Sequence, residues 1–296
     1  MDLRQLKYLV RIVECGSFSA AARQLGMVQP SLSKQIALLE SELHAQLLTR
    51  NARGVRLTPA GIRVLNHAQA MLRQERELLS AARELPSIPA GIVALGVLPS
   101  LAQSLGVPLV AHILKKWPQV QFQVVEAPTA SILEGVHRGN LDLGLITADT
   151  PPADTRSIRL RAERFFFVSC STENDSDISL AALAGQALAL PVKGNAIRDQ
   201  IDRSFNTIGH QAKVVAEFES VISLLVAASS GAISTIVPAC ALGIHGGLGA
   251  AHARRIVKPA LSRTLWLCAS SILPMSAAAA ALFDEVPRVA RARSAR

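Results

Sequence analysis

Apolar positions near the start of the chain fall on a helical period. Leu6, Leu9, Val10 and Val13 predict an amphipathic helix over residues 4–14. Gly16 stops it. Ser17 or Ser19 is placed to cap a second helix through Ala20, Ala21, Ala22 and Leu25, which Gly26 ends. In the third run Pro30 suits a first helical turn, where a missing N–H costs nothing. There Leu32, Ile36, Leu39 and Leu43 line up on one side, and Gln29, Ser31, Ser33 and Lys34 lie mostly off that stripe. Residues 47–58 read as two short extended pieces about an Asn/Gly turn, a hairpin carrying Arg50, Arg53 and Arg56. Thr58-Pro59 signals a further helix start. That helix is expected to reach about Leu85, with Leu65, Ala68, Leu72, Leu79 and Ala82 close to a seven-residue repeat interrupted at Glu75. So long a helix needs something to bury its seam. The same helix of a second subunit is the expected partner, and an intramolecular core helix is the alternative.

Beyond a turn-rich hinge at 86–91 the period changes. Ile92–Val97, Val120–Val125 and Leu141–Ile146 read as buried strands, with helices starting at Pro99-Ser100 and at Thr129 between them. A second set follows. Phe165–Cys170, Ala187–Leu190, Val214–Phe218, Ile233–Val237 and Thr264–Ser270 read as strands, and Ile197–Ile208 and Leu225–Ser229 as helices, the latter capped by Ser220. A last helix, Pro274–Val286, is expected to return to the first set. Such alternation gives an α/β fold class behind an N-terminal all-α module with its hairpin. The expected domains are 1–58 for the front module, 59–90 for a linker and dimerisation helix with its hinge, and 91–296 for a two-part rear domain. In the rear domain, subdomain I spans about 91–162 and 267–287, and subdomain II about 163–266.

Charge changes the picture at the two ends. The net charge is +9, yet residues 91–287 hold 15 Lys/Arg and 15 Asp/Glu. Residues 1–90 hold 12 basic against 7 acidic, and the last nine residues add four arginines. A basic front module fits a polyanion, with DNA, RNA and an anionic membrane all open on charge alone. Cys15, Cys170, Cys240 and Cys268 are widely spaced and form no metal-ligand pattern, so reduced thiols in a cytoplasmic protein are expected. No apolar stretch reads as a signal segment or a membrane span.

The third helix narrows the polyanion to double-stranded DNA. Small polar side chains and one cation at a helix N-terminus suit a major groove: Gln29, Ser31 and Ser33 for base edges, Lys34 for guanine or phosphate. The hairpin arginines would meet phosphate or a minor groove, and a merely solvated hairpin is the plainer alternative. In the rear domain, Ser100 and Thr129 each follow a strand at a helix start, where parallel sheets bind ligands. Simple helix capping would also account for them. Asn195, Ile197, Phe218 and Pro238 are the candidates from the second half. Lys193 is either a partner for a carboxylate or a surface lysine. Residues 243–255, rich in glycine and histidine, carry no nucleotide motif and are expected to form a mobile loop. The arginine tail is expected to be solvated. Seven histidines make no catalytic or metal motif, so no enzyme, cofactor or metal is expected. The rear domain by itself would suit a solute-binding protein. The basic front by itself would suit a DNA-compacting protein without an effector.

Residues 6–61, taken together, resemble the LysR-type transcriptional regulators. The carrying features are the alanine-rich helix, the Gln-Pro-Ser-Leu-Ser helix, the arginine hairpin and Thr-Pro-Ala-Gly. The opening is similar to the nitrogen-assimilation-control type. The resemblance implies a winged helix-turn-helix and a two-subdomain effector domain like a type II periplasmic binding protein. It implies a homodimer or dimer of dimers on an interrupted palindrome, with DNA bending that responds to a small-molecule co-inducer and with RNA polymerase as a further partner. It places Gln29, Pro30, Ser33, Lys34 and Arg53 at DNA, Arg50 and Arg56 beside it, and Ser100 and Thr129 in the effector pocket.

Overall fold

A computed structural model describes residues 1–51, 54–81, 88–170, 177–243 and 251–292. The chain forms two units: Met1–Ser87 with Gly135–Leu141, and Ile88–Glu134 with Asp142–Arg296.

The first unit opens with α1 (Leu3–Cys15), α2 (Phe18–Gln24) and α3 (Gln29–Glu42). Asp2 and Gln5 form a reciprocal capping box at the start of α1, with bonds of 2.8 and 3.1 Å. Ser17, rather than Ser19, caps α2 by accepting from Ala20 N at 3.1 Å. Leu32, Ile36 and Leu39 are at most 2% exposed and share one core with Leu6, Leu9, Ile12, Phe18 and Ala21. Each such side chain gains about 1.5–3 kcal/mol on burial, which fixes the rotation of α3 about its axis. Strands β1 (Leu48–Asn51) and β2 (Gly54–Leu57) pair antiparallel, Thr49 opposite Arg56. Thr58 caps α4 (Pro59–Ala81) by accepting from Gly61 N at 2.9 Å. The seam of α4 is divided. Val64, Leu65, Ala68 and Leu72 pack on the first unit's own core, whereas Met71, Leu78 and Leu79 are exposed.

The second unit is α/β. Strand β3 (Gly91–Val97) leads into α5 (Pro99–Leu101), a π-helical turn at Ala102–Gly106 and α6 (Val107–Lys116). Then come β4 (Val120–Glu126), α7 (Thr129–His137), β5 (Leu143–Thr147) and β6 (Thr155–Ser169). The remainder is β7 (Asp177–Ser179), β8 (Ala187–Pro191), α8 (Ala196–Thr207), β9 (Lys213–Phe218), α9 (Val221–Ser229), β10 (Ser234–Pro238), α10 (Ala239–Leu242), β11 (His252–Val257), β12 (Ser262–Ser270) and α11 (Ala277–Ala292). The main path of the sheet runs β4-β3-β5-β12-β6-β10-β8-β9. Lobe I holds the parallel strands β4, β3 and β5, and lobe II the parallel strands β10, β8 and β9. The long strand β6 serves both: residues 155–164 pair with β12, and 165–168 pair with β10.

Several expectations are corrected. β6 starts at Thr155, not Phe165. β12 joins lobe I from Ser262, ahead of 267. Within the glycine-rich 243–255 stretch, residues 252–255 belong to strand β11 rather than a loop, and 244–250 lie outside the described residues. Arg288 and Arg291 belong to α11 rather than to a solvated tail, and 293–296 lie outside the described residues.

Helix α11 packs on lobe I through Glu285, which is 7% exposed. Its carboxylate accepts from Lys116 Nζ at 2.8 Å and lies 2.9 Å from His112 Nε2. Lys116, then His112, hold its pKa below the ordinary carboxylate value. The stabilisation is therefore complete above the usual carboxylate range and disappears as pH falls through the folded value. Glu285→Gln should lower Tm at neutral pH, with the gap to wild type closing on acidification; calorimetry across pH checks this.

Candidate nucleic-acid interface and effector cleft

The outer side of α3 is set by its buried side. With Leu32, Ile36 and Leu39 inward, Gln29, Pro30, Ser31 and Lys34 are exposed, and Ser33 is half-buried. Ser33 lines a surface pocket of about 290 Å³ with Phe18, Ile36, Glu40 and Leu48. No side chain caps α3, and Gln29 Oε1 accepts from Ser19 Oγ at 2.9 Å, tying the start of α3 to α2. Arg56 is exposed on β2. Arg50 lies on β1 with its side chain outside the described part, and Arg53 lies outside the described residues.

The hairpin is anchored from two sides. Glu40 Oε1 accepts from Leu47 N at 2.7 Å and Leu48 N at 3.0 Å. Val55 N donates to Gly16 O at 3.0 Å. A Cβ on Gly54, whose φ is +121°, would sit 2.5 Å from that same oxygen, so only glycine fits this crossing. Sequence reading misses Glu40; its signal is an acid directly after the buried Leu39, on the side of the helix that meets the hairpin.

In the second unit, Ser100 and Thr129 follow the carboxyl ends of the neighbouring strands β3 and β4, which pair in register up to Val97 and Glu126. The Thr129 hydroxyl is buried without a hydrogen-bond partner among the described residues. Asn195, Phe218 and Pro238 stand at or just beyond the carboxyl ends of β8, β9 and β10. Asn195 caps α8 by accepting from Ile197 N at 2.9 Å. Ile197 is 4% exposed and belongs to the core of lobe II. Lys193 is exposed.

The structure brings Ser100 to lobe II through residues that sequence reading misses. Cys240, two residues past Pro238, donates its thiol to Ser100 O at 2.9 Å. Arg263 Nη2 donates to Ser100 Oγ at 3.3 Å, and Arg263 Nε donates to Glu163 Oε2 at 2.7 Å. Burial, then the charge of Glu163, pushes the Cys240 thiol up to about 12. Glu163 and Arg263 are a hundred positions apart, so no local pattern could have paired them. Among the described residues no cluster of His, Cys, Asp and Glu could hold a metal ion, and no helix is long and apolar enough to cross a membrane.

This geometry agrees with what comparison with known proteins finds. Residues 3–62 match the bacterial regulatory helix-turn-helix of the LysR family, and residues 87–291 match the LysR substrate-binding domain. The chain belongs to the LysR family of transcriptional regulators.

This LysR regulator is 34% identical to the nitrogen assimilation regulatory protein nac of Escherichia coli K12, over 90% of this chain and 88% of that one. Its fold is similar to full-length OxyR C199D from Pseudomonas aeruginosa, with TM-score 0.75 and 24% identity, covering 97% of this chain and 98% of that one. It is similar also to full-length CbnR complexed with its target DNA, with TM-score 0.74 and 22% identity, covering 98% and 100%. The family is one of DNA-binding regulators, and the winged helix-turn-helix and two-lobed α/β unit are its two parts here.

Removing the Glu40 carboxylate leaves two amides of buried residues without their acceptor. Glu40→Ala should cost this regulator about 1.5–3 kcal/mol in its first unit, with Glu40→Gln intermediate. Chemical denaturation of both variants, followed with a probe placed in the first unit, checks this.

Proposed function

We propose that this regulator reads an operator with α3 and its wing, and that a small molecule held between the two lobes alters its grip on DNA. The carrying observation is the sidedness of α3, with Leu32, Ile36 and Leu39 buried and Gln29, Ser31 and Lys34 exposed. In this reading Gln29, Ser31 and Ser33 meet base edges, and Lys34 meets guanine or phosphate. Pro30 sets the helix start, and Arg50, Arg53 and Arg56 serve phosphate or the minor groove. The complex of CbnR with its target DNA supports the same use of the fold. The exposed half of α4, at Met71, Leu78 and Leu79, supports closure by the same helix of a second subunit. A dimer of dimers and a contact with RNA polymerase belong to the proposal. The identity with the nac proteins supports a subgroup of nac-like regulators.

The cleft supports a ligand that offers hydrogen-bond acceptors. The buried Thr129 hydroxyl has no partner among the described residues, and the Ser100 hydroxyl accepts from an arginine, which has donors only. Both hydroxyls therefore have a proton to donate. Asn195, Ile197, Phe218 and Pro238 would supply the lobe II side, mostly through backbone and apolar surface.

Ser33→Ala and Lys34→Ala should each narrow the gap between operator and unrelated DNA, by about 1–3 kcal/mol where a base contact is lost; binding ratios from footprint titration measure it, and unchanged ratios in both would refute the assignment. Arg56→Ala should lower the salt dependence of binding by about one phosphate equivalent, read from the slope of affinity against salt. Ser100→Ala and Thr129→Ala should impair the transcriptional response to the native inducing condition more than operator binding without it. Normal responses in both would remove these residues from the site.

A further inference from the structure

We propose that the cross-strand pair Glu163–Arg263 is a latch that holds the two lobes together at the floor of the cleft and positions Ser100 there. The chain passes between lobes along β6, after Glu163, and back again just before β12, ahead of Arg263. Those two residues are direct register partners at this crossing. Glu163 is 3% exposed, Cys240 6%, Arg263 7% and Ser100 8%. Polar groups this deep persist only when matched, and each one here is.

The bonds form a closed circuit. Glu163 Oε1 accepts from Cys240 N at 2.8 Å, at the start of α10 in lobe II. Glu163 Oε2 takes the Arg263 guanidinium at 2.7 Å. Arg263 Nη2 reaches Ser100 Oγ in lobe I at 3.3 Å and Cys240 Sγ at 3.4 Å. Cys240 Sγ then donates to Ser100 O. One carboxylate thus grips the helix start of lobe II, and its arginine partner grips the helix start of lobe I. Parting the lobes would strip Cys240 of Ser100 while leaving the strand pair β6–β12 intact. Nearer the rim, the described residues offer exposed ties: Arg203 to Asp149 at 3.7 Å, a pair of the kind that contributes little, and Gln200 Nε2 donating to Ser262 O at 3.1 Å.

This deepens the reading of the cleft as the sensing element and rests on that reading for its consequence at DNA. The latch itself is measurable with no effector present. The test is peptide-resolved alkylation of the native full-length protein with N-ethylmaleimide, comparing Cys240 with Cys268, which is 0% exposed in lobe I and gauges global unfolding. Arg263→Lys keeps a positive charge beside the thiol but lacks the guanidinium fork. It should raise Cys240 labelling about tenfold or more, the shift expected for losing one charge-assisted hydrogen bond, with Cys268 unchanged. Arg203→Gln should leave both rates as in wild type. Glu163→Gln alters the charge beside the thiol, so it is read by hydrogen exchange, which should quicken across 99–106 and 239–242 but not across β5.

Unchanged Cys240 labelling in folded Arg263→Lys would overturn the latch. So would a parallel rise at Cys268, or an equal rise in Arg203→Gln. Should Arg263→Lys fail to fold, the exchange pattern of Glu163→Gln decides. Failure here leaves the effector reading of Ser100 and Thr129 standing, and failure of their alanine variants leaves the latch standing.

Discussion

One antiparallel strand pair governs the second unit: β6 against β12. Lobes I and II each have their own parallel strands and their own core, yet β6 runs through both without interruption. A continuous hydrogen-bonded strand resists stretching and shear far more than bending. Near residues 163–165 and 261–263 the chain leaves one lobe's pairing for the other's, and any flexing between the lobes would centre there. At that point the structure sets a buried ion pair beside apolar packing, with Arg263 5.8 Å from the Phe165 ring centre and Leu261 buried. A hydrophobic filling there would be indifferent to small rotations. A carboxylate and a guanidinium whose remaining bonds reach opposite lobes are sensitive to angle, because a hydrogen bond weakens steeply once misaligned.

The first unit follows a different logic. The proposed reading face of α3 is defined by exclusion. Three leucine and isoleucine side chains turn inward, and whatever lies opposite faces out. The hairpin's strands have four residues each, and they reach the first unit's core through Leu48, with Val55 and Leu57 packed against it. The hairpin is held also by the Glu40 carboxylate and by the close backbone crossing at Gly16 and Gly54. Small two-stranded ribbons are marginal alone, so these outside anchors help fix the hairpin that carries Arg56.

Much of this was legible because it is local. Helical spacing found α1, α2 and α3, Thr58-Pro59 marked the start of α4, and apolar runs found β3, β8 and β10. What escaped is non-local or disguised. The front half of β6 reads Thr-Arg-Ser-Ile-Arg-Leu-Arg-Ala-Glu-Arg, whose charges look like a solvated linker. Those arginines stand on a strand paired with β12, where alternation rather than an apolar run is the mark. β11 hid beside glycines and histidines, and its partner β6 supplies the reason it is a strand. The effector candidates were found from strand ends, but the circuit of Glu163, Cys240 and Arg263 requires the folded topology to exist at all.

The divided seam of α4 connects these two logics. Its front half stabilises the first unit from within, through Val64, Leu65, Ala68 and Leu72. The core that supports the helix-turn-helix is thus built from residues of one chain. Its rear half leaves Met71, Leu78 and Leu79 in solvent, the surface that the proposed second copy would cover. Packing of the first unit and the proposed dimer contact thus fall on different residues of one helix. In the proposed dimer a change at Leu78 or Leu79 would leave α3 undisturbed, because the sidedness of α3 rests on Leu32, Ile36 and Leu39 within one chain.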